Sequence, residues 1–281
     1  MGLSIATNMT SVVAQKNLRA NSRKLENTVA RLSSGLRINK AADDAAGLAI
    51  SEGLRSQIRG LSAALRNASD GISLIQTAEG VLGTVHDILN RMRELAIQSA
   101  NGTYGTAERG YMQNQFREFL EEIDRIASVV EFSGISLLDG TLRTGISFQV
   151  GLYSTMDNRI TVSIPDAHTS VIGLNNGMYL FSQSISSING ALRALGSIDA
   201  AIRDTSSIRG GLGAVQNRLE QTIDNIEIMR QNFGAAESQI RDADIAAESS
   251  ELARINILTQ VATSMVAQAN QIPYLALQLL Q

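Results

Sequence analysis

Two histidines are the side chains in this chain best suited to acid–base or metal chemistry. His86 lies in HDILN, which lacks the paired histidines of a helical zinc site, and His168 follows Pro165 in a loop-like stretch. A lone histidine is more often a packing or surface residue than a ligand, so we expect neither to be catalytic. The chain has no Cys, which excludes thiolate catalysis, disulfides and cysteine metal sites.

An acidic cluster and a glycine run are the other two candidates. Asp242, Asp244 and Glu248 fall close together in RDADIAAE, but a closed calcium site needs more oxygen ligands, so we interpret them as helix-surface acids. Residues 209–214, RGGLGA, have no preceding strand and no following P-loop lysine, so we interpret them as a flexible break between two helical segments. The sequence therefore predicts no catalytic, cofactor or metal site, and a protein that is not an enzyme.

Composition points to self-assembly. Only 18% of the 281 residues are charged, below the roughly 25% of typical soluble domains. Because the outer helix faces carry Ala, Ser, Asn and Gln instead, we infer that neighbouring subunits cover them. A net charge of −3 and 4% aromatic residues do not favour nucleic-acid binding. MGLSIATNMT lacks the features of a secretory signal, and no run of 18 apolar residues predicts a membrane span.

Apolar residues recur in alternating steps of three and four, the pattern of helices that pack along their length. The stretches are Leu18 to Leu36, Leu54 to Ala96, Met112 to Val130, and Ile185 to Ala247 with an interruption at Ser206 to Gly211. Residues 100–105 predict a turn, after which the third stretch folds back as an antiparallel neighbour. Beyond Ala247 the apolar face broadens, which is typical of a helix buried on more than one side.

The pattern changes to a period of two after Phe132. Apolar residues alternate at Phe148 and Val150 and again at Ile160 and Val162, on either side of a turn-like stretch. We place a β-ribbon at about residues 141–177. The predicted fold class is mainly α: an elongated antiparallel helix bundle or coiled coil with a small β-hairpin region, in which the N- and C-terminal helices are paired.

The segment between the first two helical stretches carries turn formers and candidate N-caps, namely Gly35, Asn39, Asp43 and Gly47. On the residues alone it is a loop that joins two helices.

Four segments together resemble bacterial flagellin. They are LSSGLRINKAADDAAGLAISEGLRSQIRGL at 32–61, NRMRELAIQSANGT at 90–103, GAVQNRLEQTIDNI at 213–226, and SQIRDADIAAESSELARINILTQVATSMVAQANQIPYLALQLL at 238–280. The resemblance covers nearly the whole chain except about 141–176. Flagellins vary in the middle, and this chain has almost no middle, so it resembles a short flagellin without the outer variable domains.

The resemblance implies two domains. Residues 1–43 and 242–281 would form an inner tube that is ordered on assembly, and residues 44–241 a helical rod that carries the β-ribbon. The joint at Gly35, Asn39, Asp43 and Gly47 would be a flexible spoke between these two shells. The implied terminal assembly interface consists of Ile5, Met9, Val12, Leu18, Leu25, Val29, Leu252, Ile255, Leu258, Val261, Met265 and Ile272.

The resemblance also implies the function and the partners. The chain would be exported unfolded by the flagellar type III apparatus and would polymerise with copies of itself into an extracellular filament for motility. Further implied partners are an export chaperone, the cap and hook-junction proteins, and a host innate receptor at Arg91, Leu95 and Gln115, where activating flagellins usually carry glutamate at the last position. A hook–filament junction protein and an intracellular coiled-coil adaptor are the alternatives. The continuous match at ANQIPYLALQLL argues against the former, and the paired apolar ends argue against the latter.

Overall fold

The computed structural model describes residues 7–278, with side chains described to residue 271. Over this range the chain forms long helices and two small antiparallel sheets, so the mainly α fold class with paired terminal helices and small hairpins is confirmed. The helices are α1 (Met9–Ser34), α2 (Ala45–Ala100), α3 (Thr106–Val129), α4 (Ile188–Arg241) and α5 (Ile245–Gln278). The strands are β1 (Glu131–Phe132), β2 (Ile135–Ser136), β3 (Ile146–Gln149) and β4 (Arg159–Val162).

The chain divides into two compact units. The first contains Met1–Ile58 and Gln231–Gln281, and the second is Arg59–Arg230. The boundaries fall within α2 and α4, so the first unit holds α1, α5 and the adjoining parts of those two helices. The predicted division into inner tube and rod concerns the assembled form and stays a prediction.

The turn between α2 and α3 lies where the sequence predicts it. Its stabilising residue is Arg109, which is buried. The Arg109 guanidinium donates from Nε to the carbonyl oxygen of Ser99 at 2.9 Å and from Nη2 to that of Asn101 at 3.0 Å. The last carbonyls of a helix lack partners within it, so this buried cation satisfies the C-terminal end of α2.

The apolar seams of α2 and α3 supply much of the core of the second unit. Leu82, Leu89 and Phe116 are fully buried, as the three-and-four spacing predicts. Two clusters share this core: one packs α2 and α4 against the β3–β4 hairpin, and the other packs α2, α3 and the first half of α4. In β3 and β4, Ile146 pairs with Val162 and Gln149 with Arg159, which confirms the predicted hairpin. The β1–β2 hairpin was not predicted.

Helix α4 differs from its prediction in two ways. It is continuous through residues 206–214, so the predicted flexible break there is wrong. In its first turns Leu192 is 56% exposed, whereas Ala191, Ala194 and Ile198 are buried. The buried stripe therefore uses small residues that a search for large apolar side chains passes over.

His168 binds the loop after β4 to α3. Its Nδ1 lies 2.6 Å from Asp166 Oδ1 and its Nε2 lies 3.0 Å from Ser128 Oγ. The Asp–His–Ser order of these contacts matches that of a hydrolase triad. However, the Ser128 hydroxyl donates its proton to the carbonyl oxygen of Asp124 at 2.8 Å and not to the histidine. Asp124 in turn accepts from the backbone N–H and the hydroxyl of Thr169, both at 2.8 Å. Together these contacts dock the loop on the helix.

Candidate functional site

Helices α1 and α5 pair antiparallel. At one end the Asn8 side-chain amide donates to the carbonyl oxygen of Ala269 at 2.7 Å. At the other end Arg31 Nη1 lies 3.1 Å from Glu248 Oε1. Since the start of α1 meets the later part of α5 and the end of α1 meets its beginning, the two helices pack along their lengths.

Few residues are buried between the two helices, and some of them are polar. Ile255 of α5 is 1% exposed, and Ser11 and Thr28 of α1 are also buried. The Ser11 hydroxyl donates to Asn270 Oδ1 at 2.7 Å. Three further predicted interface residues are half-buried: Leu18, Leu25 and Leu252. Sequence reasoning missed Ser11 and Thr28, although they continue the seven- and three-residue spacing of Leu18 and Leu25.

Six of the ten predicted interface residues whose side chains are described remain exposed in the single chain. Val261 and Met265 are 53% and 54% exposed. The other exposed members are Met9, Val12, Val29 and Leu258. Ile5 lies outside the described residues, as does the side chain of Ile272. Contiguous exposed apolar side chains on a soluble chain indicate a contact surface.

Four of these exposed side chains line an open groove of about 590 Å³ between α1 and α5. We call it the apolar groove, and its lining includes Met9, Val13, Leu258, Val261 and Met265. Both helices contribute to it, so the groove exists only when they are paired.

The two breaks between helices form one junction. The backbone N–H of Arg37 donates to the carbonyl oxygen of Arg241 at 2.7 Å, and that of Ala243 donates to the carbonyl oxygen of Gly35 at 2.9 Å. The Arg37 guanidinium also donates to the carbonyl oxygen of Ile240 at 2.6 Å. The predicted joint between α1 and α2 is thus bonded to the break between α4 and α5.

The acidic cluster belongs to this junction. Asp244 is exposed, as expected of a surface acid, but its carboxylate also accepts the backbone N–H of Ala246 at 2.9 Å and caps α5, a role that was not predicted. Asp242 pairs by backbone with Leu36, and Glu248 pairs with Arg31. Among the described residues no group of three or more His, Asp or Glu side chains is arranged to hold a metal ion. A helix ends at Arg241, so the predicted apolar seam through Ala243 is also wrong.

The four predicted joint residues lie close to the helix ends. Gly35 ends α1 in the left-handed conformation with a φ of 70°, which glycine adopts without steric cost. The backbone N–H groups of Lys40 and Asn39 donate to Asp43 Oδ2 at 2.9 and 3.2 Å. Gly47 lies buried in the first turn of α2. The proposed flexibility of the joint stays a prediction.

Asp43 makes the turn of the joint sensitive to pH. The backbone N–H groups of Lys40 and Asn39 hold the pKa of the Asp43 carboxyl below its ordinary value. A lowered pKa in the folded state means that the ionised form stabilises the turn. That contribution is present above the ordinary pKa of about 4 and is lost as the pH falls through the lowered pKa.

We expect the protection of the Lys40 and Asn39 amides against hydrogen exchange to fall as the pH drops below about 4. In Asp43→Asn the side-chain carbonyl still accepts these bonds but does not titrate, so its protection factors stay independent of pH over the same range. Exchange measured by NMR checks both. An equal loss of protection in the variant would assign the effect to other carboxylates.

Gly47 and Gly53 form a matched pair within the first unit. A Cβ at Gly47 would lie 2.4 Å from Asp44 Oδ2 and 2.8 Å from Ile38 Cδ1, whereas nothing lies within 4 Å of one at Gly53. We expect Gly47→Ala to lower the free energy of unfolding by about 1–3 kcal/mol because of overpacking. Gly53→Ala should raise it by up to about 1 kcal/mol, the difference in helix propensity. Urea unfolding measures both, and changes of the same sign would refute the packing argument.

Comparison with known protein families identifies the chain. The model of the bacterial flagellin N-terminal helical region matches residues 5–143, and that of the C-terminal helical region matches residues 195–280. The chain belongs to the bacterial flagellin family. It is 45% identical over 277 residues to a flagellin of Halalkalibacterium halodurans, with 98% of each chain covered. It is 41% identical over 286 residues to a flagellar filament 33 kDa core protein of Treponema phagedenis, again with 98% of each covered.

Among solved structures, the crystal structure of Bacillus cereus flagellin is 29% identical to this chain. It covers 57% of this chain and 88% of its own length, with a TM-score of 0.49.

In this flagellin the residues of the predicted receptor surface lie in the second unit. Arg91 on α2 and Gln115 on α3 are exposed, and Leu95 is half-buried against the α2–α3–α4 cluster. Packing within the subunit therefore accounts for Leu95 without a receptor. Within residues 7–278 none of the flagellin's helices combines the length and the apolar composition needed to cross a bilayer.

Proposed function

We propose that this chain is the structural subunit of a bacterial flagellar filament, an extracellular polymer that serves motility. The observation that carries the proposal is the apolar groove, left open by the paired terminal helices of a chain that matches flagellins over nearly its whole length. The relatives matched over that length are flagellins and filament core proteins, which favours the filament over the hook–filament junction.

The groove explains why assembly stabilises the subunit. Apolar surface gains about 25 cal/mol for each Å² removed from water. A single chain cannot cover Val261 and Met265, but neighbouring copies can. A contact between two different surfaces of identical subunits, repeated with a rotation that does not close, generates a helical filament. The proposed work of the chain is mechanical and includes no catalytic step.

The proposal extends to the layout of the filament and to its delivery. Residues 1–43 and 242–281 form the inner tube, and residues 44–241 form the outer shell. The flagellar type III apparatus exports the unfolded chain to its place of assembly, with the help of an export chaperone. The cap and hook-junction proteins lie at the two ends of the filament. The pairing of α1 with α5 is then completed where the neighbouring copies cover the groove.

Seeded polymerisation tests the proposal. Purified subunit mixed with short filament fragments should elongate them into tubes whose narrow central channel is visible by electron microscopy. Unseeded subunit at the same concentration provides the control for nucleation. A chain that stays monomeric or forms only closed dimers would overturn the proposal.

We include host receptor recognition at Arg91, Leu95 and Gln115 in the proposal. Because activating flagellins usually carry glutamate where Gln115 stands, we expect Gln115→Glu to increase signalling by an innate flagellin receptor in a reporter-cell assay. Gln115 is exposed, so the change leaves the fold intact. Unchanged signalling would remove Gln115 from the receptor surface, and Asn114→Asp, an exposed neighbour, controls for added negative charge.

A further inference from the structure

An asparagine–glycine pair forms a tight turn in the loop before α4. Asn176 and Gly177 have φ angles of 49° and 79°, the pattern of a type I′ turn. The flanking residues exchange two backbone hydrogen bonds, from Asn175 to Met178 at 2.9 Å and from Met178 to Asn175 at 3.0 Å. The turn is therefore anchored at its base, and the peptide between Asn176 and Gly177 forms its tip.

This tip peptide makes no hydrogen bonds with the described part of the chain. Neither the Asn176 carbonyl oxygen nor the Gly177 N–H has a partner there, and the Asn176 side-chain amide has none either. Both residues are exposed, and a Cβ built on Gly177 would meet nothing within 4 Å. Water can therefore reach the peptide, and rotation of the peptide breaks none of its own hydrogen bonds.

The pair Asn101–Gly102 is exposed but held. Asn101 Oδ1 accepts the backbone N–H of Thr103 at 3.3 Å. The Asn101 carbonyl oxygen accepts from the guanidinium of Arg109 at 3.0 Å, and Arg109 is buried. Both the side chain and the peptide of Asn101 must give up a bond before they can rearrange.

The third pair, Asn189–Gly190, is held still more firmly. It lies at the start of α4, and Gly190 is buried. The Gly190 N–H donates to Ser187 Oγ at 3.2 Å, and a Cβ on Gly190 would lie 2.4 Å from the carbonyl oxygen of Ser184. The nitrogen that would have to react is therefore bonded and enclosed.

We propose that Asn176 is a site of spontaneous deamidation. The Gly177 amide nitrogen loses its proton and attacks Asn176 Cγ, a new N–Cγ bond forms, and the Cγ–Nδ2 bond breaks with release of ammonia. The five-membered succinimide then adds one water molecule at either ring carbonyl and opens to aspartate or isoaspartate. The atoms balance with water as the only co-reactant, and no oxidant or reductant is needed. Glycine at position 177 leaves its nitrogen open to this attack.

The two products affect the turn differently. Aspartate is tolerated at a positive φ, as asparagine is, so the turn keeps its geometry and gains one negative charge. Isoaspartate carries the main chain through its side-chain carbon and lengthens the tip by one methylene. A two-residue turn has no room for that insertion, so the hydrogen bonds between Asn175 and Met178 are lost in this product.

Peptide mapping of the full-length wild-type chain after incubation in mildly alkaline buffer tests the proposal. Tryptic cleavage places Asn176 and Asn189 together in residues 160–193 and Asn101 in residues 94–109, so fragmentation within the peptide must locate the change. We expect Asn176 to convert at least about tenfold faster than either of the other two, because one hydrogen bond broken on the way to the transition state is worth about that factor. Equal rates at Asn176 and Asn101, or no conversion at Asn176, would overturn the proposal.

Asn176→His provides the matched control. Histidine is enriched at positive φ, as asparagine is, so the turn persists, but it has no side-chain amide to lose and creates no new Asn–Gly pair after Asn175. In this variant the isoaspartate in residues 160–193, probed with an isoaspartate-specific carboxyl methyltransferase, should fall at least about tenfold below the wild-type level, and its circular-dichroism spectrum should match that of the wild type. Methylation at the wild-type level in the variant would place the reaction elsewhere in the peptide and overturn the assignment to Asn176.

Discussion

Val261→Glu combined with Met265→Glu is expected to abolish filament formation while the subunit keeps its fold. Both side chains are more than half exposed and line the apolar groove, so the single chain accepts carboxylates there. In a filament each carboxylate would be buried without a partner, which costs several kcal/mol, and every 1.4 kcal/mol is a factor of ten. We expect the critical concentration for seeded growth to rise by at least about 100-fold. Sedimentation and electron microscopy measure it.

Gln260→Glu supplies the control for this prediction. Gln260 is exposed on α5 and lies outside the lining of the apolar groove, so the variant adds negative charge to the same helix but not to the groove. It should polymerise within about threefold of the wild type, since surface substitutions change stability by no more than about 0.5 kcal/mol. Growth of the double variant at wild-type concentrations would show that the groove is not an assembly contact.

The helices follow from apolar spacing wherever large side chains mark the buried face. In α2 and α3 most of the residues that alternate by three and four are buried, among them Leu82 and Phe116, and the others are half-buried. In α4 the same rule holds, but it has to include alanine and threonine. The stripe then runs without interruption through Ala191, Ala194, Ile198, Ala201, Thr205, Ile208, Leu212, Val215, Leu219, Thr222 and Ile226. The break was predicted because the apolar pattern was read through Leu192, which is exposed, and because the glycines were taken to interrupt the helix. The small residues that continue the buried stripe were not counted.

The junction could be predicted only in part. Local signals placed it: Gly35 ends a helix, and Asp44 caps the next through the Gly47 N–H at 2.8 Å. The bonds that hold it join positions such as Arg37 and Ile240, which are 203 residues apart. The spacing of residue types cannot reveal such a bond, because a backbone carbonyl oxygen accepts a hydrogen bond whichever side chain its residue carries. Asp244 is a different case, because its bond to the Ala246 N–H is local and an aspartate directly before a helical stretch is an N-cap signal that the prediction did not use.

The terminal interface shows the limit of hydrophobic reasoning most clearly. Apolar spacing identified both helices but could not say which side chains face the partner helix and which remain open. In the structure Ile255 is buried, whereas Leu258, one turn later, lines the apolar groove. Ser11 and Thr28 occupy buried positions that a search for apolar residues omits. A serine or threonine placed seven or three residues from a leucine of the stripe would have identified these two buried positions.

Ile255→Ala is expected to weaken the pairing of the terminal helices by about 2–5 kcal/mol per subunit, the usual cost of removing a buried isoleucine side chain beyond Cβ. Ile255 is 1% exposed and Ile257, two positions away on the same helix, is 62% exposed. Ile257→Ala therefore makes the same chemical change at a site that loses little burial, and should shift stability by no more than about 0.5 kcal/mol. The midpoint of heat-induced filament dissociation measures both.

Filaments are the right sample for this measurement because the paired helices α1 and α5 are proposed to form the surface on which neighbouring subunits assemble. The apolar groove exists only while α1 and α5 are together, so a subunit whose pairing is weakened by about 2–5 kcal/mol also loses part of the surface that its neighbours cover. The dissociation midpoint should fall well below that of the wild type for Ile255→Ala and stay near it for Ile257→Ala. Equal midpoints for the two variants would mean that α1 and α5 do not pair in the filament as they do in this chain. In that case the groove between them could not be the surface that carries assembly.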